Sequence, residues 1–336
     1  MSDGYEAVLG ALAAHARQLD AVADEIRGLT DQAATKLSSD SLGEIGQPFT
    51  ALVDQLVTVG NRAVDSGAKA LNAIATGIAH SGEALPQPET GHGRALEAPV
   101  ADNITALSAP MRPVDALSAA GLGQLTGLVA PLQSVLDRMA GDASGVYAFL
   151  DAWVTVSSRI TQIQARLARE VTTGTASWRG EAADQYRMRA DDIDRSLAEF
   201  AAAAREAAAV VQLAAEVVGQ SRAGANDLIT DMVRRLISLV RHLMAVEGGM
   251  TATVLAQAGD LVSTFAKPVA NIERQAQTSL ANAVKPVNDL ITAMGTIARL
   301  WDSYAQGDGP AAGRQLRTAD LLAHELAHVI QRREGR

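Results

Sequence analysis

The stretch "TTGTASWRG", residues 172–180, separates two long segments that carry the periodicity of amphipathic helices. Before it, apolar residues recur every three or four positions, and after it residues 181–218 form one Ala-rich run of strong helix formers. Because the stretch holds two glycines and interrupts the pattern, it predicts a turn that joins the two helices into an antiparallel hairpin. The apolar seam before the turn consists of Trp153, Val156, Ile160, Ile163, Leu167 and Val171.

A similar hairpin is predicted at the start of the chain. A Gly, Ser and Pro cluster at residues 38–48 separates two further apolar seams. The first seam contains Val8, Leu12, His15, Leu19, Val22, Ile26 and Leu29, and the second contains Phe49, Leu52, Leu56, Val59, Ala63, Ala70, Ile74 and Ile78. His15 is the polar member of its seam, and we expect a neutral core histidine with a hydrogen-bond partner, a metal ligand being the alternative.

The bulk composition limits the class of protein. Hydrophobic residues make up 48% of the 336 positions and aromatic residues only 3%, which favours close-packed helices over a sheet core. The net charge of -9 argues against binding to nucleic acid, whose partners are basic. The absence of cysteine leaves His, Asp and Glu as candidate metal ligands. We expect no cleavable signal peptide, because the first 20 residues have no basic n-region and their apolar residues are not continuous. We also expect no membrane-spanning segment, because no stretch reaches about 18 uninterrupted apolar residues.

Breaks in periodicity suggest how the rest of the chain is divided. Residues 81–99 lose all periodicity and contain three prolines, so they are expected to form a linker. The stretch at 219–227 is expected to interrupt the helix that begins at 181. Pro268 and Pro286 lie 18 residues apart, which is five helical turns. They predict either one long helix curved to one side or helices broken at these points.

The predicted fold is all-α. Tandem antiparallel helical hairpins form a four-helix bundle, followed by long Pro-bent helices and a short C-terminal helix. The seams of the two hairpins are expected to pack against each other. The predicted segments are an N-terminal hairpin at 1–82, a linker at 83–113, a second hairpin with its extension at 114–245, a Pro-bent segment at 246–306 and a tail helix at 307–336.

The triplet Trp178-Arg179-Gly180, followed by "EAADQYRMRADDI", resembles the turn of the WxG-motif helical-hairpin family, the substrates of type VII (ESX-type) secretion. The turn at residues 40–46, "DSLGEIG", is similar to the ESX secretion-associated branch of that superfamily. The resemblance covers about residues 1–82 and 115–245. A bulky ring can cap the open end of the interhelical seam, and a glycine can adopt backbone angles closed to other residues. The resemblance adds the expectation that Trp178 and Gly180 belong to an export motif.

In the resembled family, a Tyr-x-x-x-Asp/Glu motif completes the export signal. This chain contains Tyr304 with Asp308, and Tyr147 with Asp151. We prefer Tyr304 and Asp308, because Tyr304 lies near the end of a helix, whereas Tyr147 is expected to be a packing residue. The resemblance implies a type VII secretion ATPase and chaperone as partners, with a small WxG-family protein or self-assembly in addition. It also implies a secreted or cell-envelope location.

The chain ends in "LLAHELAHVIQRREGR", residues 321–336, which contains the HExxH pattern of zinc peptidases. On a helix His324 and His328 face the same side and can share a zinc ion, while Glu325 can act as general base. The stretch also resembles the C-terminal end of a metallopeptidase-like domain of bacterial polymorphic toxins. The third ligand is open, with His242 and Glu334 as candidates. A catalytic zinc site and a metal-binding or vestigial helix both remain open.

These observations support three hypotheses. The first is a type VII secretion substrate with a helical-hairpin export module, in one version the targeting part of a polymorphic toxin. The second is a zinc-dependent metallopeptidase that acts after export. The third is a structural subunit of a secretion assembly.

Overall fold

The computed structural model describes residues 2–79 and 102–306, and within them the chain is helical and has no strand. This confirms the all-α class. The helices are α1 (Ser2–Arg27), α2 (Thr30–Ala33), α3 (Gly43–Ala79), α4 (Asp102–Thr105), α5 (Asp115–Ala119), α6 (Thr126–Arg138), α7 (Ala143–Gly174), α8 (Glu181–Glu247) and α9 (Ala252–Ala305), with a 3-10 turn at Gly123–Leu125. None of the described helices combines the length and apolarity that crossing a membrane requires.

The long helices form two hairpins, as the sequence predicted. The apolar seams of α1 and α3 are buried against each other, and the seam of α7 is buried against α8. Between α7 and α8, the Ser157 hydroxyl donates to the carbonyl oxygen of Ala201 at 2.7 Å. The two hairpins meet where the Arg166 guanidinium of α7 donates to both carboxylate oxygens of Glu25 in α1, at 2.7 and 2.6 Å.

The bundle includes α9 as a fifth helix, beyond the four that the seams predicted. α9 packs between α3 and α8, so the five long helices form a closed ring in the order α1, α3, α9, α8, α7. Asp302 of α9 accepts hydrogen bonds from Ser66 at 2.6 Å and Arg62 at 2.9 Å, both on α3. On its other side, the indole Nε1 of Trp301 donates to the Ser196 hydroxyl of α8 at 2.7 Å. The Pro-bent segment is therefore an integral part of the bundle.

Two glycines of α3 make room for the tryptophans at the centre of the bundle. A Cβ on Gly60 would lie 2.4 Å from Cη2 of Trp153, and a Cβ on Gly67 would lie 2.9 Å from Cε3 of Trp301. Both distances are shorter than van der Waals contact, so a larger residue at either position would displace an indole ring. Gly60 and Gly67 are seven residues apart and therefore lie on the same face of α3.

The expected interruption at 219–227 is wrong, because α8 is one continuous helix of 67 residues, about 100 Å long at 1.5 Å per residue. Gly219 reflects close packing: a Cβ there would lie 2.0 Å from the carbonyl oxygen of Asn103. α9 is also a single helix of 54 residues that contains both Pro268 and Pro286, so the chain forms one continuous helix and is not broken at the prolines. Beyond the bundle, α8 and α9 continue as a pair against α4, α5 and α6.

Arg222 joins this extension to the segment before α7. Its side chain is only 4% exposed, and its nitrogens lie close to four backbone carbonyl oxygens. Nε donates to Leu136 at 3.1 Å, and Nη1 lies 2.6, 3.0 and 2.8 Å from the oxygens of Ala106, Leu107 and Ala109. Ile104 and Leu107, which belong to the predicted linker at 83–113, are fully buried beside this network. Residues 102–109 of that segment are therefore packed against α8.

Candidate functional site

Trp178 lies in the turn between α7 and α8, where the sequence predicted it. Its ring is half-buried and lies 5.5 Å from the ring of Tyr186, centroid to centroid. The turn is held by Arg187, whose Nη2 donates to the carbonyl oxygens of Thr175 at 2.9 Å and Trp178 at 2.6 Å. Tyr186 and Arg187 are adjacent on the first turns of α8. The start of this helix therefore contacts both the ring of Trp178 and the backbone of its turn.

Gly180 is the residue at which the chain re-enters a helix. Its φ of 101° lies in the region that side-chain-bearing residues rarely adopt, and a Cβ there would meet nothing within 4 Å. Glycine is therefore favoured at this position by the backbone conformation and not by a lack of space. This agrees with the backbone role predicted for Gly180.

A cavity of about 510 Å³ opens beside Trp178 at this end of the bundle, and we name it the bundle-end cleft. Its walls come from the first half of α1, the end of α3, the first turns of α8 and the end of α9. The lining combines aliphatic and aromatic side chains with a few polar groups. The lining residues are Leu12, Ala73, Ile74, Gly77, Ile78, Trp178, Gln185, Tyr186, Arg189, Tyr304, Ala305 and Gln306.

Tyr304 lines the same cleft as Trp178, although the two are far apart in sequence. Its side chain is 5% exposed, and its hydroxyl donates to Oδ2 of Asp192 in α8 at 2.9 Å. Burial, together with this carboxylate, raises the pKa of Tyr304 above its ordinary value, so the hydroxyl stays protonated. Asp308 lies outside the described residues. Tyr147 lies near the start of α7, about 40 Å along that helix from the Trp178 end.

His15 is fully buried and contacts Tyr186, one of the residues that line the cleft. Its Nε2 forms a short hydrogen bond with the Tyr186 hydroxyl, and the two rings meet edge to face. Burial lowers the pKa of His15 to about 4, so the ring is neutral at neutral pH, which confirms the predicted core histidine with a partner. Gly174 leaves the space for it, because a Cβ there would lie 2.9 Å from His15 Nδ1.

Acidification is expected to destabilise the bundle through His15. Because its folded pKa of about 4 lies below the unfolded value of 6.5, the contribution is complete above pH 6.5 and is lost as the pH falls toward 4. The expected loss in free energy of unfolding between pH 7 and pH 5 is about 2 kcal/mol. Urea unfolding at the two pH values measures it. The pH dependence should shrink by that amount in His15→Gln; an equal dependence in His15→Gln and the wild type would contradict the assignment.

The predicted zinc residues His324, Glu325, His328 and Glu334 lie outside the described residues, and their roles stay predictions. His242 is described and lies on the exposed surface of α8. It follows Gln185 by 57 residues, about 85 Å along the helix, whereas the 18 residues from Gln306 to His324 span at most about 65 Å. Since Gln306 and Gln185 line the same cleft, His242 lies far along α8 from the point where the tail begins. Among the described residues, no group of three or more His, Asp or Glu side chains is arranged to hold a metal ion.

Comparison with known protein families gives one match. Residues 1–96 match the family described as excreted virulence factor EspC, type VII ESX diderm. The match includes α1, α2 and α3, and thus the whole first hairpin of the bundle. The similarity supports the predicted class of type VII secretion substrate. No curated protein and no solved structure matches the chain.

The structure brings together residues that the sequence named separately and adds others that it did not name. Trp178, Gly180 and Tyr304 were predicted for an export motif, and all three lie at one end of the bundle. Tyr186 and Asp192, which hold His15 and Tyr304, were not predicted. A local signal existed for Tyr186, one of only four tyrosines in the chain, two helical turns after the Trp178 turn. No local signal pointed to Asp192, because its partner comes from α9.

Proposed function

We propose that this protein is a substrate of ESX-type type VII secretion and that the secretion machinery recognises the bundle-end cleft. The match of the first hairpin to an excreted type VII family supports the route of export. The proposed partners are the secretion ATPase and a chaperone of that system. The protein would accordingly act outside the cell or in the cell envelope.

The observation that carries the proposal is the meeting of Trp178 and Tyr304 at one cleft. Trp178 lies in the turn just before α8 and Tyr304 lies near the end of α9, and the antiparallel pairing of α8 with α9 brings them together. Half-buried aromatic rings beside a charged residue are typical of the energetic centres of protein interfaces. Here Trp178 provides the ring, and Arg189 and Gln185 are polar residues that line the same cleft.

Removing the Tyr304 ring is expected to reduce secretion strongly, and removing the Tyr147 ring is not. Tyr304→Ala deletes a wall of the cleft, whereas Tyr147→Ala makes the same change near the other end of α7. The intermediate variant Tyr304→Phe keeps the ring and loses only the hydrogen bond to Asp192, so it should be secreted better than Tyr304→Ala. The measurement is the ratio of secreted to cell-associated protein. Equal ratios for Tyr304→Ala and Tyr147→Ala would contradict the proposed site.

A zinc-dependent peptidase in the tail is a second proposal, supported by the HExxH pattern alone. His324 and His328 would hold the metal, Glu325 would serve as general base, and export would deliver the activity, as in a polymorphic toxin. Purified full-length protein is then expected to contain about one zinc ion per chain, as the three-ligand catalytic site requires. His324→Ala should remove it, and His242→Ala should not, because His242 lies about 85 Å along α8 from the cleft where the tail begins. Zinc content well below one ion per chain, or content unaffected by His324→Ala, would end this proposal.

A further inference from the structure

The C-terminal tail leaves the described structure at the rim of the bundle-end cleft. Gln306, the last described residue, is itself one of the residues that line the cleft. Thirty further residues follow, at positions 307–336. The tail therefore begins beside the cleft that Trp178 and Tyr304 line.

The sequence of the tail provides an apolar face for which the bundle offers a complement. In the helix expected from about Thr318 to Arg333, Leu322, Leu326 and Val329 recur at four- and three-residue spacing on one side. His324 and His328 fall on nearly the opposite side of the same helix. A helix that buries its leucine face would thus leave its histidine face exposed to solvent.

The cleft has the size and chemistry to receive such a face. Its volume of about 510 Å³ is within the range of ligand-binding pockets. The floor is aliphatic, with Leu12, Ile74 and Ile78, and the Trp178 ring forms one wall. The segment that follows Ile78 also starts near the rim, but residues 81–99 have no helical periodicity and contain three prolines. The tail is therefore the better matched occupant.

We infer that residues 318–333 dock, within the same chain, into the bundle-end cleft through Leu322, Leu326 and Val329. The 11 residues from 307 to 317 are enough to fold back on the cleft. A tether of 11 residues raises the local concentration to the order of millimolar, so even a site with a Kd of about 100 µM would be occupied about nine-tenths of the time. If the proposed function holds, the tail and the secretion machinery bind the same cleft, which Trp178 and Tyr304 line.

The docking can be tested without any secretion machinery, because the chain has no cysteine. Gln185→Cys places a single thiol at an exposed position on the cleft rim, and Gln257→Cys places one at an exposed position near the start of α9, far from the cleft. Each is combined with the wild-type tail, with Leu326→Asp, or with Leu321→Asp. Leu321→Asp is the matched control, since the same substitution lies outside the proposed docking face. The rate of thiol alkylation is measured on full-length protein, with circular dichroism to check that the helices are intact.

Docking predicts that Cys at position 185 is alkylated about tenfold faster with Leu326→Asp than with the wild-type tail, from the nine-tenths occupancy. Leu321→Asp should leave the protection intact, and Cys at position 257 should react equally in every background. The protection should not depend on protein concentration. Equal rates at position 185, loss of protection in both leucine variants, or protection that grows with concentration would each overturn the inference, the last by assigning the cleft to a second copy. Failure of the secretion predictions would leave these alkylation results unchanged.

Discussion

Replacing Arg222 with alanine is expected to lower the free energy of unfolding by about 3 kcal/mol or more. The buried guanidinium is within hydrogen-bonding distance of four carbonyl oxygens, and alanine leaves those oxygens without this partner. Arg222→Lys should recover only part of the loss, because one ammonium group cannot match the fork of the guanidinium. The shift of the urea midpoint measures the effect.

The control for this prediction is Arg234→Ala on the same helix. The Arg234 side chain is 74% exposed and contacts Asp231 only at 3.6 Å. Its loss is expected to change stability by less than about 0.5 kcal/mol. If Arg222→Ala and Arg234→Ala unfold at the same urea concentration, the carbonyl network does not stabilise the junction between α8 and the segment before α7.

The local features of this fold were predictable, because each is encoded within a few helical turns. The seam from Trp153 to Val171 indicated α7, and the break at Trp178 indicated the turn that follows it. Burial of His15 could be inferred from its position in an otherwise apolar seam. Periodicity reports which side of a helix is buried, and on these helices it did so correctly.

The features that were not predicted correctly depend on partners that are distant in the chain. Gly219 and Arg222 looked like a helix break, because a glycine and a charged residue in a row of alanines are poor signals for a buried helix. Gly219 is needed because Asn103 packs closely against it, and Arg222 is buried because it lies close to the carbonyl oxygens of residues 106–109. Periodicity does not reveal such partners. The place of α9 within the bundle was missed for the same reason, since Gly67 reveals its role only once Trp301 packs against it.

The candidate site was predicted residue by residue but not as a site. Trp178 and Tyr304 each followed from a motif, and nothing in either motif required them to share a cleft. Their meeting depends on α9 running antiparallel to α8 over its C-terminal half, a long-range pairing. The tail motif at His324 and His328 lies outside the described residues. The hypothesis of a zinc site there is therefore supported by the sequence alone.

Replacing Trp178 with alanine is expected to reduce secretion strongly while leaving the bundle folded. A tryptophan at the centre of an interface commonly contributes about 2 kcal/mol or more, and that loss weakens binding by roughly 30-fold. Because the Trp178 ring is only half-buried in the isolated chain, its removal should have a small effect on folding compared with the loss of a core side chain. Leu213→Ala is the matched control, since Leu213 is a 50% exposed apolar residue elsewhere on α8.

The most direct measurement is the amount of full-length protein in the culture medium of cells that express wild type, Trp178→Ala or Leu213→Ala at equal intracellular levels. Thermal unfolding of the three purified proteins shows whether each is folded. The proposed function predicts that wild type and Leu213→Ala reach the medium and that folded Trp178→Ala stays mostly inside the cells. Secretion of folded Trp178→Ala at the wild-type level would contradict recognition at the bundle-end cleft.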